Sequence, residues 1–102
     1  MQYAIKINGY VYVVKCQEYY KIGRTGLDVN NRIKQLQVSN PHELQLVLHG
    51  GTDNPSDLEL SLHEYFKDKH HRGEWYKLGD EDLVTLEDII NAYNDYGYAK
   101  NV

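Results

Sequence analysis

Four side chains between residues 12 and 32 could together bind and attack a phosphate group. They are a phenol (Tyr12), an ammonium (Lys21) and two guanidiniums (Arg24 and Arg32). Guanidinium groups pair with phosphate oxygens, and donors placed around a phosphate stabilise the charge that develops during hydrolysis. These residue types therefore predict a phosphodiester as ligand or substrate, provided that the fold brings the four side chains together.

Two predicted strands and the start of a helix would bring them together. Residues 10–14 and 19–25 are β-branched and aromatic runs with a short polar break between them, which favours a β-hairpin. Asp28 has the residue type of a helix N-cap, and apolar residues follow it at helical spacing. The hairpin places Tyr12 beside the second strand, and the helix behind it carries Arg32 to the same edge.

The next segment predicts a third strand and completes the fold class. Residues 43–49 alternate, with Leu44, Leu46 and Leu48 on one side. Weaker alternation over residues 1–8 is compatible with a further short strand. We expect one domain over residues 1–102, of the α/β class: an α+β sandwich with a small three-stranded antiparallel sheet flanked by three helices.

Two more helices are predicted in the second half of the chain. Asn54 followed by Pro55 is a helix start signal. The buried stripe of this helix consists of Leu58, Leu62, Tyr65 and Phe66. After it, the sequence predicts a loop over residues 68–73, a short extended piece over residues 74–78, and a last helix that starts at Gly79-Asp80 and stops at Gly97.

The ordered motifs resemble those of the GIY-YIG nuclease superfamily, and in particular its phage and large-virus subgroup with a K-I-G-R-T second motif. The resemblance covers residues 9–78. The matching pieces, in chain order, are Tyr10-Val11-Tyr12, then Tyr19-Tyr20-Lys21-Ile22-Gly23-Arg24-Thr25, then Arg32, then Leu58-Glu59-Leu60-Ser61-Leu62-His63, and finally Gly73-Glu74-Trp75-Tyr76.

The resemblance implies a metal-dependent endonuclease and assigns roles to four residues. Tyr12 would activate the attacking water, Arg32 would stabilise charge on the scissile phosphate, and Glu59 would hold a single divalent ion, Mg²⁺ or Mn²⁺. Lys21 stands where the superfamily's name has tyrosine. It either assists the deprotonation of Tyr12 or is a solvated charge that protects a strand edge from pairing.

Further residues are candidates for contact with the substrate. Gly23 lies within a strand, where glycine often marks a close approach, here of the substrate backbone. Tyr19 or Tyr20 could replace the missing motif tyrosine, and the basic loop after residue 66 could contact nucleic acid or be merely solvated. The substrate-binding candidates are Tyr20, Gly23, Arg24, His63, Lys69, His71 and Arg72.

The role of Glu59 depends on which residue caps its helix. Ser56 and Glu59 have the spacing of a capping box, in which Glu59 would bond back to the backbone. If Asn54 is the cap, the Glu59 side chain is released to point at the hairpin. A zinc site is not expected, because one cysteine and scattered histidines lack the ligand spacing of such sites.

Composition limits the compartment and the partners. The single cysteine excludes an internal disulfide and fits a reducing compartment, and no apolar run approaches the ~20 residues that span a membrane. We expect a cytoplasmic protein, in a cell or in an infected host, with no membrane partner. The net charge of −4 argues against a general nucleic-acid coat protein, which is usually basic.

Nucleic acid, with DNA as the first expectation, is the implied partner. The sequence shows no appended DNA-recognition segment, so a homo-oligomer, a protein partner or nucleic-acid shape would supply specificity. Two other interpretations stay open. One is a catalytically inactive module that binds nucleic acid or a protein with the same scaffold. The other is a structural or regulatory viral protein whose ten tyrosines form an oligomer surface.

Overall fold

A computed structural model of the chain describes the backbone of residues 7–99 and the side chains of residues 7–93. The further strand expected over residues 1–8 therefore lies largely outside the described residues. The elements, in chain order, are β1 (Gly9–Cys16), β2 (Tyr19–Thr25), α1 (Val29–Val38), β3 (Gln45–Thr52), α2 (Pro55–Tyr65), a 3₁₀ turn (Lys67–Lys69), β4 (His70–Arg72), β5 (Trp75–Tyr76) and α3 (Asp80–Ala99).

The sheet is antiparallel and has five strands in the order β3-β1-β2-β5-β4, with three helices around it. The α+β class is confirmed, and the prediction of three strands is wrong. The predicted loop over residues 68–73 contains β4, and the extended piece after it contains β5. These strands have three and two residues, too few for a periodic pattern, and they are held by pairing with each other and with β2.

A β-bulge changes which side of the sheet the leucines of β3 face. The register shifts between Val13 and Val14, which pair with Leu48 and Leu46, so Val47 is an extra residue. Leu48 consequently packs against the main core and Leu46 against the second one. The alternation predicts a shared side for these leucines, and this is wrong because an inserted residue reverses the faces on either side of it.

Two apolar layers cover the two faces of the sheet. The main core lies between the sheet and helices α2 and α3, and it includes Val11, Val13, Ile22, Leu58, Leu62 and Leu86. The second core lies between the sheet and α1, and it includes Tyr12, Val14, Val29, Ile33, Leu36 and Trp75. Neighbouring residues of β1 alternate between the layers, as the two-residue period of a strand requires.

The predicted starts of the first two helices are confirmed. The Asp28 carboxylate accepts the N–H of Asn31 at 3.1 Å, and the Asn54 side chain accepts the N–H of Asp57 at the same distance. Pro55 is the first residue of α2. These caps satisfy backbone donors that a helix leaves without partners at its N-terminus.

Two helix predictions are wrong. Tyr65 is 62% exposed, so it is not part of the buried stripe of α2. Helix α3 continues through Gly97 to Ala99, because glycine weakens a helix by only about 1 kcal/mol and does not end it alone. Among the described residues, no helix combines the length and the apolar character needed to cross a membrane.

Candidate functional site

The outer edge of β2 collects charged side chains from both faces of the sheet. Strand β5 pairs with β2 only at Tyr20 and Lys21, and the Glu74 carbonyl accepts the N–H of Ile22 at 3.1 Å. Beyond that point, from Gly23 to Thr25, this side of β2 has no strand partner among the described residues. Side chains can therefore reach around the open edge.

Lys21 approaches this edge from the side of α1. Its ammonium donates to the Glu74 carboxylate at 2.7 Å and lies 5.9 Å from the centre of the Trp75 ring. The Lys21 side chain is 16% exposed, whereas that of Glu74 is 41% exposed. The ion pair fixes the Glu74 carboxylate at the outer end of the cluster, beside the open part of β2.

Glu59 and His63 approach the same edge from α2, on the opposite face of the sheet. Because Asn54 caps α2, the Glu59 side chain is not used in a capping box, and the second alternative for this residue holds. Glu59 is only 7% exposed, and the Arg24 Nε lies 3.9 Å from its carboxylate. His63 Nε2 lies 2.9 Å from the Ile22 carbonyl oxygen.

These residues form what we call the edge cluster: Lys21, Arg24, Glu59, His63 and Glu74. Candidate ligand atoms of Glu59, His63 and Glu74 all lie within 4.8 Å of one another. Burial raises the pKa of Glu59 above its ordinary value of 4.5, and the nearby Glu74 raises it further, against the opposing effects of His63, Arg24 and Lys21. Burial, Glu74 and Glu59 also raise the pKa of Tyr76.

The edge cluster has a donor set that fits a divalent cation. Two carboxylates and an imidazole are common ligands of such ions. Glu59 is nine-tenths buried, and the described residues give its carboxylate no hydrogen bond and one ion pair at 3.9 Å, beyond hydrogen-bonding distance. A buried carboxylate without hydrogen bonds is unfavourable, and a bound cation would relieve this.

Tyr12 lies in the second core, on the other side of β2 from Glu59. It is fully buried, and its hydroxyl has no hydrogen-bond partner among the described residues. Tyr12 pairs with Gly23, and a Cβ added to Gly23 would lie 2.6 Å from the Tyr12 hydroxyl. The hydroxyl thus rests on β2 at the point where its outer side becomes open, although Tyr12 shares no described hydrogen bond with the edge cluster.

The close approach at Gly23 is accordingly made by Tyr12. The expectation that the glycine makes room for substrate backbone needs this correction, because the phenol already fills the space above its Cα. Arg32 lies on α1, half-buried beside the residues that pack against Tyr12. Its guanidinium donates to Gln35 at 3.3 Å. A contact between Arg32 and phosphate stays a prediction.

The T5orf172 domain family matches residues 9–96 of the chain. The chain belongs to the T5orf172 domain family. This phage-type family is associated with nuclease-like activity, and membership indicates a nuclease-like or DNA-binding role. Searches of curated proteins and of solved structures gave no match.

The other predicted substrate contacts of this T5orf172 domain are scattered. Tyr20 is 6% exposed and packs in the main core, so its ring is not available to nucleic acid, and the half-buried Tyr19 is the accessible phenol. Tyr19 stacks on His71 with ring centres 4.2 Å apart. Lys69 is held by Asp82 at 2.7 Å, and Arg72 is exposed.

Sequence reasoning did not assign Glu74 or Tyr76 to the site of the T5orf172 domain. Glu74 joins the edge cluster because the short strand after it pairs with β2, which brings residues 53 positions apart into contact. The Tyr76 and His63 ring centres are 5.5 Å apart. The Glu74-Trp75-Tyr76 motif, which is part of the resemblance, could have indicated that both residues belong to the site.

Proposed function

We propose that this chain is a metal-dependent endonuclease of the GIY-YIG type that hydrolyses phosphodiester bonds of nucleic acid, with DNA as the first substrate to test. Three observations support the proposal: membership in the T5orf172 domain family, the edge cluster, and the position of Tyr12 on Gly23. The cluster contains cations that can pair with phosphate and carboxylates that can hold a metal ion.

The observation that carries most weight is the buried Glu59. Its side chain as a whole is nine-tenths buried and makes no described hydrogen bond, yet an apolar residue could fill the same place with less cost to stability. Natural sequences break the rules of stable packing mainly at functional sites. A function for Glu59 therefore explains its presence better than a structural role does.

Each residue of the site has a part in the proposed reaction. Arg24 is 47% exposed and bound only loosely to Glu59, so it can turn to a phosphate oxygen, and Arg32 would clamp the phosphate from α1. Tyr12 would act as a phenolate: its own proton leaves to solvent, and the phenolate oxygen then takes a proton from the attacking water. Because its hydroxyl is enclosed, this step requires the contacts around Gly23 to open enough to admit that water.

The proposed metal ion would add positive charge beside the phosphate group. A divalent ion bound at Glu59, Mg²⁺ or Mn²⁺, would act as a Lewis acid on the phosphate and neutralise charge on the leaving oxygen. Lys21 would hold Glu74 in place beside it through their 2.7 Å contact. In this scheme, Lys21 positions the Glu74 carboxylate. It also lies on β2, the strand that pairs with the Tyr12-containing strand β1.

A binding module without catalysis is the second candidate, and one observation favours it. The Tyr12 hydroxyl is enclosed and has no described hydrogen-bond partner, and the Lys21 ammonium is paired with Glu74 and not with the phenol, so nothing in this conformation favours the phenolate that a general base requires. Such a protein would bind nucleic acid through Arg24 and the neighbouring basic side chains and release it unchanged.

Cleavage assays separate the two candidates. Supercoiled plasmid, single-stranded DNA and branched DNA are incubated with the protein and Mg²⁺ or Mn²⁺, and with EDTA as the metal-free control. We expect cleavage of at least one form with metal and none with EDTA. Tyr12→Phe should lower the rate by about 100-fold or more, the scale of a lost proton acceptor.

Tyr65→Phe is the matched control, because Tyr65 is 62% exposed at the last residue of α2 and its ring packs against Phe66. It should cleave at the wild-type rate. Tight binding of all three DNA forms without cleavage under any metal condition would support the binding module instead. Equal cleavage by the wild type and Tyr12→Phe would reject the role given to the phenol.

A further inference from the structure

We propose that Glu59, His63 and Glu74 together bind a divalent transition-metal ion, with His63 supplying a nitrogen ligand. The inference rests on the proposed function and deepens it, because it names the class of ion and two further ligands of the same site. The resemblance implies only one glutamate as the metal holder, so the contribution of His63 and Glu74 comes from the structure alone.

The distances allow one ion to contact all three side chains. Their candidate ligand atoms lie within 4.8 Å of one another. Ligands on opposite sides of an ion are separated by about 4.4 Å when each bond is about 2.2 Å long. The separation of the three groups is therefore close to the spacing that a single ion requires of its ligands.

The hydrogen bond of His63 prepares its ring for metal binding. A backbone carbonyl can only accept a hydrogen bond, so the His63 Nε2 that lies 2.9 Å from the Ile22 oxygen must carry the proton. In neutral imidazole the other nitrogen, Nδ1, then has a free lone pair. A histidine that donates one ring N–H to a backbone carbonyl and binds metal through the other nitrogen is the usual arrangement in metalloproteins.

Glu74 is oriented in a comparable way. Lys21 donates to its Oε1 at 2.7 Å, which leaves the second carboxylate oxygen for another partner. Ligating carboxylates are commonly hydrogen-bonded by a neighbouring group that fixes their direction. Lys21 therefore acts as a positioning residue for Glu74 in this site.

The surroundings of Glu59 are an independent indication that a cation binds here. The Glu59 side chain is nine-tenths buried, its carboxylate lies in the three-residue group, and within the described part of the chain its one ion pair is the 3.9 Å contact with Arg24. The second carboxylate of the group repels it. Arg24 offsets this repulsion only from 3.9 Å, whereas a divalent ion bound between the two carboxylates would stabilise them directly.

The ligand types select the class of ion. Mg²⁺ prefers oxygen ligands and retains its waters, whereas an imidazole ligand suits Mn²⁺, Co²⁺, Ni²⁺ or Zn²⁺ better. The positive charges of Lys21 and Arg24 already balance the two carboxylates of the edge cluster. Binding of the ion alone should thus be modest, and a phosphate group that engages Arg24 should tighten it.

The test is a titration of metal-free protein with MnCl₂, followed by the electron paramagnetic resonance signal of free Mn²⁺, with and without excess MgCl₂. Wild-type protein should bind one Mn²⁺ that excess Mg²⁺ displaces poorly, and pulsed spectra should show coupling to a nitrogen nucleus. His63→Ala should lose the nitrogen coupling and bind Mn²⁺ about 10- to 100-fold more weakly, with a similar loss in Glu74→Gln.

His42→Ala is the matched control, because His42 is exposed in the loop before β3 and should leave both signals unchanged. Thermal unfolding of each variant shows whether it is folded. If His63→Ala is unfolded, the nitrogen coupling of the wild type still decides the question. Absence of Mn²⁺ binding, or binding without nitrogen coupling, would overturn the proposal.

The Mn²⁺-binding test and the cleavage assay can give different results, so the metal site and the nuclease activity are tested separately. Mn²⁺ held by His63 in a protein that cleaves no nucleic acid would support the site and reject the nuclease. Cleavage with Mg²⁺ that is unaffected in His63→Ala, together with absent nitrogen coupling, would support the nuclease and reject the three-residue site.

Discussion

Two residues of this protein are placed at the expense of stability. The Tyr12 hydroxyl is completely buried with no described hydrogen-bond partner, and the Glu59 side chain as a whole is nine-tenths buried with no described hydrogen bond. A buried polar group without a partner destabilises a fold by about 1–3 kcal/mol. Tyr12 packs on Gly23, and Glu59 lies beside the strand that contains Gly23. The two unfavourably buried polar groups are therefore in the same region of the sheet.

Removal of the Tyr12 hydroxyl should therefore not destabilise the fold. We expect Tyr12→Phe to keep or raise the free energy of unfolding, by up to about 2 kcal/mol, because an unpaired buried hydroxyl is lost while the ring is retained. Urea unfolding of both proteins measures this. A loss of more than about 1 kcal/mol would show that the hydroxyl has a partner, such as bound water, in the folded protein.

Gly23 should tolerate no side chain. A Cβ there would lie 2.6 Å from the Tyr12 hydroxyl and 2.7 Å from its Cζ, and the surrounding core prevents the ring from moving. Gly23→Ala should lower the free energy of unfolding by about 1–3 kcal/mol, the usual effect of overpacking.

Gly26→Ala provides the comparison, since a Cβ at Gly26 would meet no atom within 4 Å. Its effect should remain within about 0.5 kcal/mol, as is typical of surface positions. Equal unfolding free energies for the two alanine variants would mean that the Tyr12 ring is not packed on Gly23 as described.

At the scale of elements, the sequence identifies the hairpin, α1 and α2 because each carries a periodic pattern and a start signal of its own. It does not identify β4 and β5, which are too short for a pattern and exist through pairing with β2. The same limit explains why the sequence predicts only part of the candidate site. The resemblance points to Glu59 and Lys21, but the place of Glu74 depends on that long-range pairing.

The distinction between Tyr19 and Tyr20 also needed the structure. Adjacent strand residues face opposite sides, and only the observed register shows that Tyr20 enters the core while Tyr19 contacts His71. The inserted Val47 likewise changes which side of the sheet the residues of β3 face. The alternation of apolar residues in the sequence gives no sign of this extra residue.

The start of α3 should depend on pH through Asp82. Burial alone would raise the pKa of Asp82, but hydrogen bonds from Lys69 and from the Gly79 N–H lower it below its ordinary value of 3.8. A lowered folded-state pKa adds stability above the unfolded-state pKa, and this stability is lost as pH falls through the folded-state value. Asp82→Asn should thus be less stable than the wild type at pH 7, with a smaller difference at pH 3.

Urea unfolding at several pH values measures this difference, and Asp88→Asn serves as the control on the exposed side of the same helix. Asp88→Asn should follow the wild type across the range. A difference between Asp82→Asn and the wild type that stays constant from pH 7 to pH 3 would show that the carboxylate contributes through packing and not through its charge.

At the scale of the whole molecule, the proposed function requires an acidic protein to bind nucleic acid through a small local surface. The net charge is −4, and the cations near the site are few. If about three phosphates are neutralised, the logarithm of the binding constant should fall with the logarithm of salt concentration with a slope of about −3.

Removal of one phosphate contact should change that slope. Arg24→Gln should reduce its magnitude by about 1 and weaken binding to all DNA forms alike, because a phosphate contact carries no sequence information. Fluorescence anisotropy at several KCl concentrations provides the measurement. An unchanged slope would exclude Arg24 from the phosphate contacts.

The most direct test of the nuclease proposal is the single-turnover cleavage rate of Glu59→Gln, measured with saturating Mn²⁺ beside the unfolding free energy of the same sample. The account predicts a rate at least about 100-fold below the wild type in a protein that is as stable or more stable. Glu64→Gln, an exposed carboxylate on the same helix, should cleave normally. A rate for Glu59→Gln within about threefold of the wild type would contradict the account.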